Sequence, residues 1–146
     1  MIKLSYDEVK VIAGENITDT KTLECRVKFS LINEFEEKIN KDVSEKKSLM
    51  ESVVDAYSTG NVSFLIETLN HFQTNENKLS KDEITDFIDD YLVNNETDIY
   101  EVYGEVLKEF DVSGVIKKGM GKNIVKQFTE KMEEAIANLE NGTIEK

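Results

Sequence analysis

Hydrophobic and polar positions alternate through the first thirty residues. Ile2, Leu4 and Tyr6 fall on one side of an extended chain, and Lys3, Ser5 and Asp7 on the other. Val9 and Val11 repeat the pattern, and Leu23, Cys25, Val27 and Phe29 resume it against Glu24, Arg26 and Lys28. A period of two marks strands with one buried face, so this segment predicts a small β-hairpin or β-meander. A rival reading stays open: Leu23, Val27, Leu31, Phe35 and Ile39 are spaced by four, as in one long helix from about Thr22.

From Ser30 the period becomes helical. Ser44 precedes Glu45-Lys46-Lys47-Ser48, and Leu49, Met50, Val53, Val54 and Tyr57 then form one face that stops at Thr59-Gly60. Asn61 is placed to cap a helix carrying Phe64, Leu65, Leu69 and Phe72. Ser80-Lys81-Asp82-Glu83 has the spacing of a capping box, in which Ser and Glu side chains each accept from the other's backbone N–H. Ile84, Phe87, Ile88, Tyr91 and Leu92 follow. Thr97 or Asp98 opens a further helix with Ile99, Val102, Tyr103, Val106, Leu107 and Phe110 inward.

Gly114, Gly119 and Gly121 interrupt the pattern between Asp111 and Gly121, since glycine disfavours helix by up to about 1 kcal/mol relative to alanine. A Gly-rich hinge is expected there. Beyond it Ile124, Val125, Phe128, Met132, Ala135, Ile136 and Leu139 mark one face of an amphipathic helix that runs to about Glu140 and stops at Asn141-Gly142. The tail from Thr143 to Lys146 is expected to be disordered. The fold class is therefore mainly α: a multi-helix single domain with a small N-terminal β-hairpin. Its organisation is a helical body over 1–118, then hinge, amphipathic helix and tail over 119–146.

Composition narrows the function. At 146 residues the chain can build a core without metal or disulfide, and no apolar run approaches a membrane span or the core of a signal peptide. The single cysteine, Cys25, excludes an internal disulfide and reads as a small core residue in a reducing cytoplasm. The net charge of −12 argues against nucleic acid as a partner, because phosphate binding draws on Lys and Arg. The charge is also polar along the chain: residues 76–111 hold 12 acids and 3 bases, whereas 115–137 hold 5 lysines and 3 glutamates. Such polarity favours head-to-tail contact between copies or a basic partner.

No catalytic constellation is legible. His71, the one histidine, follows Glu67 by four, which allows one carboxylate–imidazole pair on a helix but no histidine-rich metal centre. Asp82, Asp86, Asp89 and Asp90 share neighbouring turns, but lack the order of a calcium loop and read as a solvated helix face. Gly119-Met120-Gly121-Lys122-Asn123 misses the phosphate-loop pattern at both ends, with Ile116 where the first glycine belongs and Asn123 where Ser or Thr belongs. No enzyme and no cofactor is expected.

The string of segments resembles the tail assembly chaperones of long-tailed bacteriophages and prophages of Gram-positive hosts. Glu24-Cys25-Arg26-Val27-Lys28-Phe29-Ser30-Leu31 is similar to the family's strand leading into a first helix, and Ser58-Thr59-Gly60-Asn61-Val62 to its short interhelical turn. The best matched stretches run from Leu79 to Asp90 and from Asp98 to Phe110, and the resemblance spans roughly residues 24–118. The segment before Thr22 is longer than the family's compact hairpin, and the helix after Gly121 has no firm counterpart in it. The resemblance implies a non-catalytic, mostly helical protein that self-associates, coats the tape-measure protein and helps recruit tail-tube subunits. It implies residence in the host cytoplasm and absence from the mature virion; the charge and the lack of a long apolar run leave neither nucleic acid nor membrane as an expected partner.

Amphipathicity nominates Ile124, Val125, Phe128, Met132 and Ile136 as partner-binding residues. Charge nominates Lys117, Lys118, Lys122 and Lys126 against Asp86, Asp89 and Asp90 for a head-to-tail oligomer or spiral. The competing reading is an acidic interaction module or nucleic-acid mimic that blocks a basic partner.

Overall fold

The computed structural model describes residues 1–141, so the expectations for Gly142 and for the tail from Thr143 to Lys146 lie outside the described residues. Two strands, β1 (Ile2–Ile12) and β2 (Glu15–Cys25), precede α1 (Phe29–Ile39), α2 (Leu49–Thr59), α3 (Val62–Phe72), α4 (Lys81–Asn94), α5 (Ile99–Ser113) and α6 (Met120–Glu140). The fold is mainly α, and the hairpin reading of the N-terminal segment holds over the long helix from Thr22.

β1 and β2 pair antiparallel, with Ile2 opposite Cys25 and Ile12 opposite Glu15. Ala13 and Gly14 alone make the turn, both at positive φ, the backbone that matches the twist of a two-residue hairpin. Ile2, Leu4, Tyr6, Leu23 and Cys25 are buried. Val9 and Val11 do not join them: they are odd-numbered in a strand whose even positions face inward, so they lie on the opposite face, 61% and 71% exposed. Phe29 also departs from the alternation, at 81% exposed, because the strand ends at Cys25 and α1 begins at Phe29 itself.

The base of the hairpin is tied to the helices. Arg26 N–H donates to Phe72 O at 2.9 Å, Thr74 N–H to Glu24 O at 2.7 Å, and Glu24 N–H to Asn75 Oδ1 at 2.8 Å, which closes the free edge of β2 there. β1 packs on α4 and α5. The buried Glu109 of α5 reaches the same region, accepting from Val27 N–H at 3.0 Å and lying 2.6 Å from the Met1 amine. A buried carboxylate is tolerated only when it is paired in this way. Cys25 sits wholly inside, its Sγ 3.5 Å from Leu69 O, and burial pushes its thiol up to about 12.

Local signals set the helix boundaries. Gly60 stops α2 in the left-handed region, Asn61 Oδ1 accepts from Phe64 N–H to start α3, Ser80 and Glu83 form the capping box of α4, and Asp98 caps α5. Ser44 does not start α2. The cap is Ser48, because Glu51 stands three residues beyond it and completes a capping box. Lys47, three residues beyond Ser44, instead has its N–H and C=O held by the Asn40 side chain. The core gathers Phe35, Val53, Leu65, Leu69, Phe72, Ile84, Val102, Tyr103, Val106, Leu107 and Phe110. Ser48→Ala should therefore cost about 1 kcal/mol in urea unfolding, while Ser44→Ala should stay within about 0.5 kcal/mol of the parent.

Candidate functional site

α6 packs along α5, and the approach is close because of one residue. Gly121 is buried, and a Cβ built on it would stand 2.1 Å from the carbonyl oxygen of Leu107, inside the backbone of α5. Only glycine lets the two helices meet there. The N-cap, Gly119, offers no side chain and the first turn holds no acid, so the start of α6 lacks local capping. Asp111 supplies it from the last turn of α5: its two carboxylate oxygens accept from Gly121 N–H at 2.8 Å and Lys122 N–H at 2.9 Å. The carboxylate also answers the positive end of the helix dipole. The segment expected as a hinge is thus a reversal whose far side is fastened to α5.

The joint aims the apolar stripe of α6. Its first half rests on the body: Ile124, Val125 and Phe128 are half-buried and packed against the core. The Phe128 ring lies 4.3 Å from that of Tyr57 and 5.5 Å from that of Tyr100, centroid to centroid. From Lys131 to Glu140 every residue is exposed, with Met132 at 41%, Ile136 at 49% and Leu139 at 65%. Ten residues of helix, roughly 15 Å, therefore carry the stripe with every residue exposed, Met132 and Ile136 still lying beside Tyr57 and Tyr100 of the body.

A groove of about 250 Å³ opens where the stripe leaves the body. Its walls are Tyr57, Tyr100, Val125, Phe128, Met132 and Ile136, with Gly104 among its lining residues. Asp98, Glu101 and Glu133 add three carboxylates, and Lys108 is the one base. Burial, followed by the nearby Glu101 carboxylate, raises the Tyr57 hydroxyl above its ordinary range. The sequence nominated the α6 residues but missed Tyr57 and Tyr100. Tyr57 was assigned to the inward face of α2 and Tyr100 to none, and nothing in the order of residues joins α2 to α6.

The charged candidates lie elsewhere. Lys117, Lys118, Lys122 and Lys126 are all exposed at the start of α6, and none takes part in the ion pairs of the described residues. Asp86, Asp89 and Asp90 are exposed on α4, where Asp90 accepts from the Tyr6 hydroxyl at 3.4 Å. His71 and Glu67 do not form the pair their spacing allowed. His71 Nε2 lies 2.8 Å from Leu31 O and its ring stacks on Phe35, while Glu67 is taken by Lys81 at 3.0 Å and Lys38 at 3.5 Å. The hydrogen bond from Lys81 is the main reason the Glu67 carboxyl is held below its usual range. Among the described residues no group of His, Cys, Asp and Glu side chains is arranged to hold a metal ion, and no helix is long and apolar enough to cross a membrane.

Gly121→Ala forces a methyl into the α5 backbone and should cost about 1–3 kcal/mol. Hydrogen exchange should then rise along α6 more than in α3; unchanged exchange in α6 would contradict the joint described above.

Comparison with known proteins adds the family. Neither the curated proteins nor the solved structures give a match. The model of the family described as phage tail assembly chaperone protein, TAC, matches residues 16–130. That stretch runs from the second residue of β2 to the middle of α6, so it extends beyond residues 24–118 at both ends and includes the first half of the C-terminal helix, which has a counterpart after all. The chain belongs to the phage tail assembly chaperone family.

Proposed function

We propose that the chain is a non-catalytic chaperone of a long-tailed phage or prophage of a Gram-positive host, which self-associates along the tape-measure protein and helps recruit tail-tube subunits. The observation that carries this reading is the aromatic groove between α5 and α6, continued by the exposed stripe Met132, Ile136 and Leu139. An open apolar channel beside a projecting helix suits an amphipathic helix of a partner, which is the surface a long helical tape-measure chain offers. The carboxylates of Asp98, Glu101 and Glu133 favour partner segments whose apolar face is flanked by Lys or Arg.

A groove this small binds one short helical segment weakly. Many linked copies hold a long chain firmly, because each later contact forms at high effective concentration. Self-association is therefore part of the mechanism, and the exposed lysines at the start of α6 facing the α4 carboxylates of a neighbour would give a head-to-tail, non-closing contact. Assembly of this kind takes place in the host cytoplasm, and the chaperone leaves before the virion is complete.

Co-expression with the tape-measure protein of the same phage tests the reading. Met132→Glu with Ile136→Glu should abolish co-elution while leaving the melting temperature of the chaperone unchanged, since both side chains are exposed. Retained co-elution would overturn the assignment of the groove. Replacing Lys117, Lys118, Lys122 and Lys126 by Gln should shrink the assembly in low salt; an assembly of unchanged size would refute the electrostatic contact.

A further inference from the structure

Among the described residues, the hairpin has no partner beyond its base. Every residue from Val11 to Thr20 is exposed, and the arm stands out from the body with both edges open. The outer edge of β1 can be oriented from one contact: Ser5 O accepts from the Asn95 side chain at 3.0 Å, so Ser5 turns its backbone groups away from β2. Backbone groups of a strand repeat every second residue, and the N–H and C=O of Asp7, Val9 and Val11 therefore also point outward. An open edge of this length is a template for another strand unless something covers it.

We propose that this edge pairs with the same edge of a second copy, β1 against β1 antiparallel, about a two-fold axis at Val9. The proposal rests on the self-association proposed above and supplies it with a second contact, isologous where the lysine–aspartate contact is head-to-tail. The order of side chains selects the register. With Val9 opposite Val9 of the other copy, Glu8 stands opposite Lys10 on one face, twice by symmetry, and on the other face Val9 meets Val9 while each Val11 stands opposite Asp7. Shifting the axis to residue 8 sets Glu8 against Glu8, to residue 10 sets Lys10 against Lys10, and to residue 7 sets Asp7 against Asp7. Shifting it to residue 11 runs the pairing into the Ala13-Gly14 turn. Only the register centred on Val9 combines opposite charges with about six backbone hydrogen bonds from groups that already point outward. Within one copy Glu8 and Lys10 already lie 3.0 Å apart, so their charged ends occupy the same face and are poised to exchange partners. β1 lies outside the stretch matched by the family model, so the contact belongs to this chain's own N-terminal segment.

The test is disulfide cross-linking of the full chain carrying Val9→Cys. Directly opposed residues of a hydrogen-bonded pair have Cα atoms about 5.5 Å apart, within reach of a disulfide. Val11→Cys should not cross-link, because that residue would lie roughly 14 Å from its own copy. The native Cys25 is buried and stays out of the reaction. In the Val9→Cys background, Glu8→Lys alone and Lys10→Glu alone should each weaken dimer formation about tenfold. Mixing the two chains should restore a mixed dimer, and placing both changes in one chain should restore the homodimer, a control that also covers any loss of folding in a single variant. Equal cross-linking of Val9→Cys and Val11→Cys, or no recovery on mixing, would overturn the arm pairing. The tape-measure reading is tested separately by the Met132 and Ile136 variants, so the two can fail independently.

Discussion

The absence of a side chain at position 121 decides where the C-terminal helix lies. A methyl group there would overlap the Leu107 carbonyl, so a glycine is what allows α6 to rest directly on the backbone of α5. Asp111 then holds the start of the helix through two backbone N–H groups that have no other cap. From this joint the rest follows geometrically. Phe128 meets Tyr57 and Tyr100, the groove opens beside them, and the second half of α6 runs on from it with its apolar stripe exposed.

Around this joint the molecule divides into a packed body and two projections. The body consists of α1 to α5 and the base of the hairpin, bound together by the apolar core and by Glu109, whose carboxylate links α5 to the start of the chain. The projections are the hairpin arm and the end of α6. The family match covers α1 to α5, nearly all of β2 and the first half of α6, and it leaves β1, with its buried Ile2, Leu4 and Tyr6, and α6 beyond Glu130 outside.

Much of the fold was legible in the sequence where chemistry is local. Gly60, Asn61, Ser80 with Glu83, and Asp98 each act within one turn of helix, and each does what its spacing suggested. Ser44 misled because its neighbourhood resembles a cap while Ser48 has the partner glutamate; the decision lies in the residue three places on. Val9 and Val11 misled because alternation was read as continuous through an odd step at residues 6–9, and parity alone assigns the face of a strand. The candidate site was half legible. The stripe of α6 shows in its own period, but the aromatic wall comes from α2 and α5, and a contact between distant helices leaves no trace in residue order. Nor does the glycine that brings them together, which in sequence reads only as a helix breaker.

If the tape-measure protein lies on the groove and the exposed end of α6, as proposed, its binding must shield both. Hydrogen–deuterium exchange of this chain, alone and bound to the tape-measure protein of the same phage, tests it most directly. Slower exchange is expected along residues 128–140 and around Tyr57 and Tyr100, whatever protection the α4 face gains from neighbouring copies. Protection confined to the acidic face of α4, with α6 exchanging as fast as in the free protein, would contradict it.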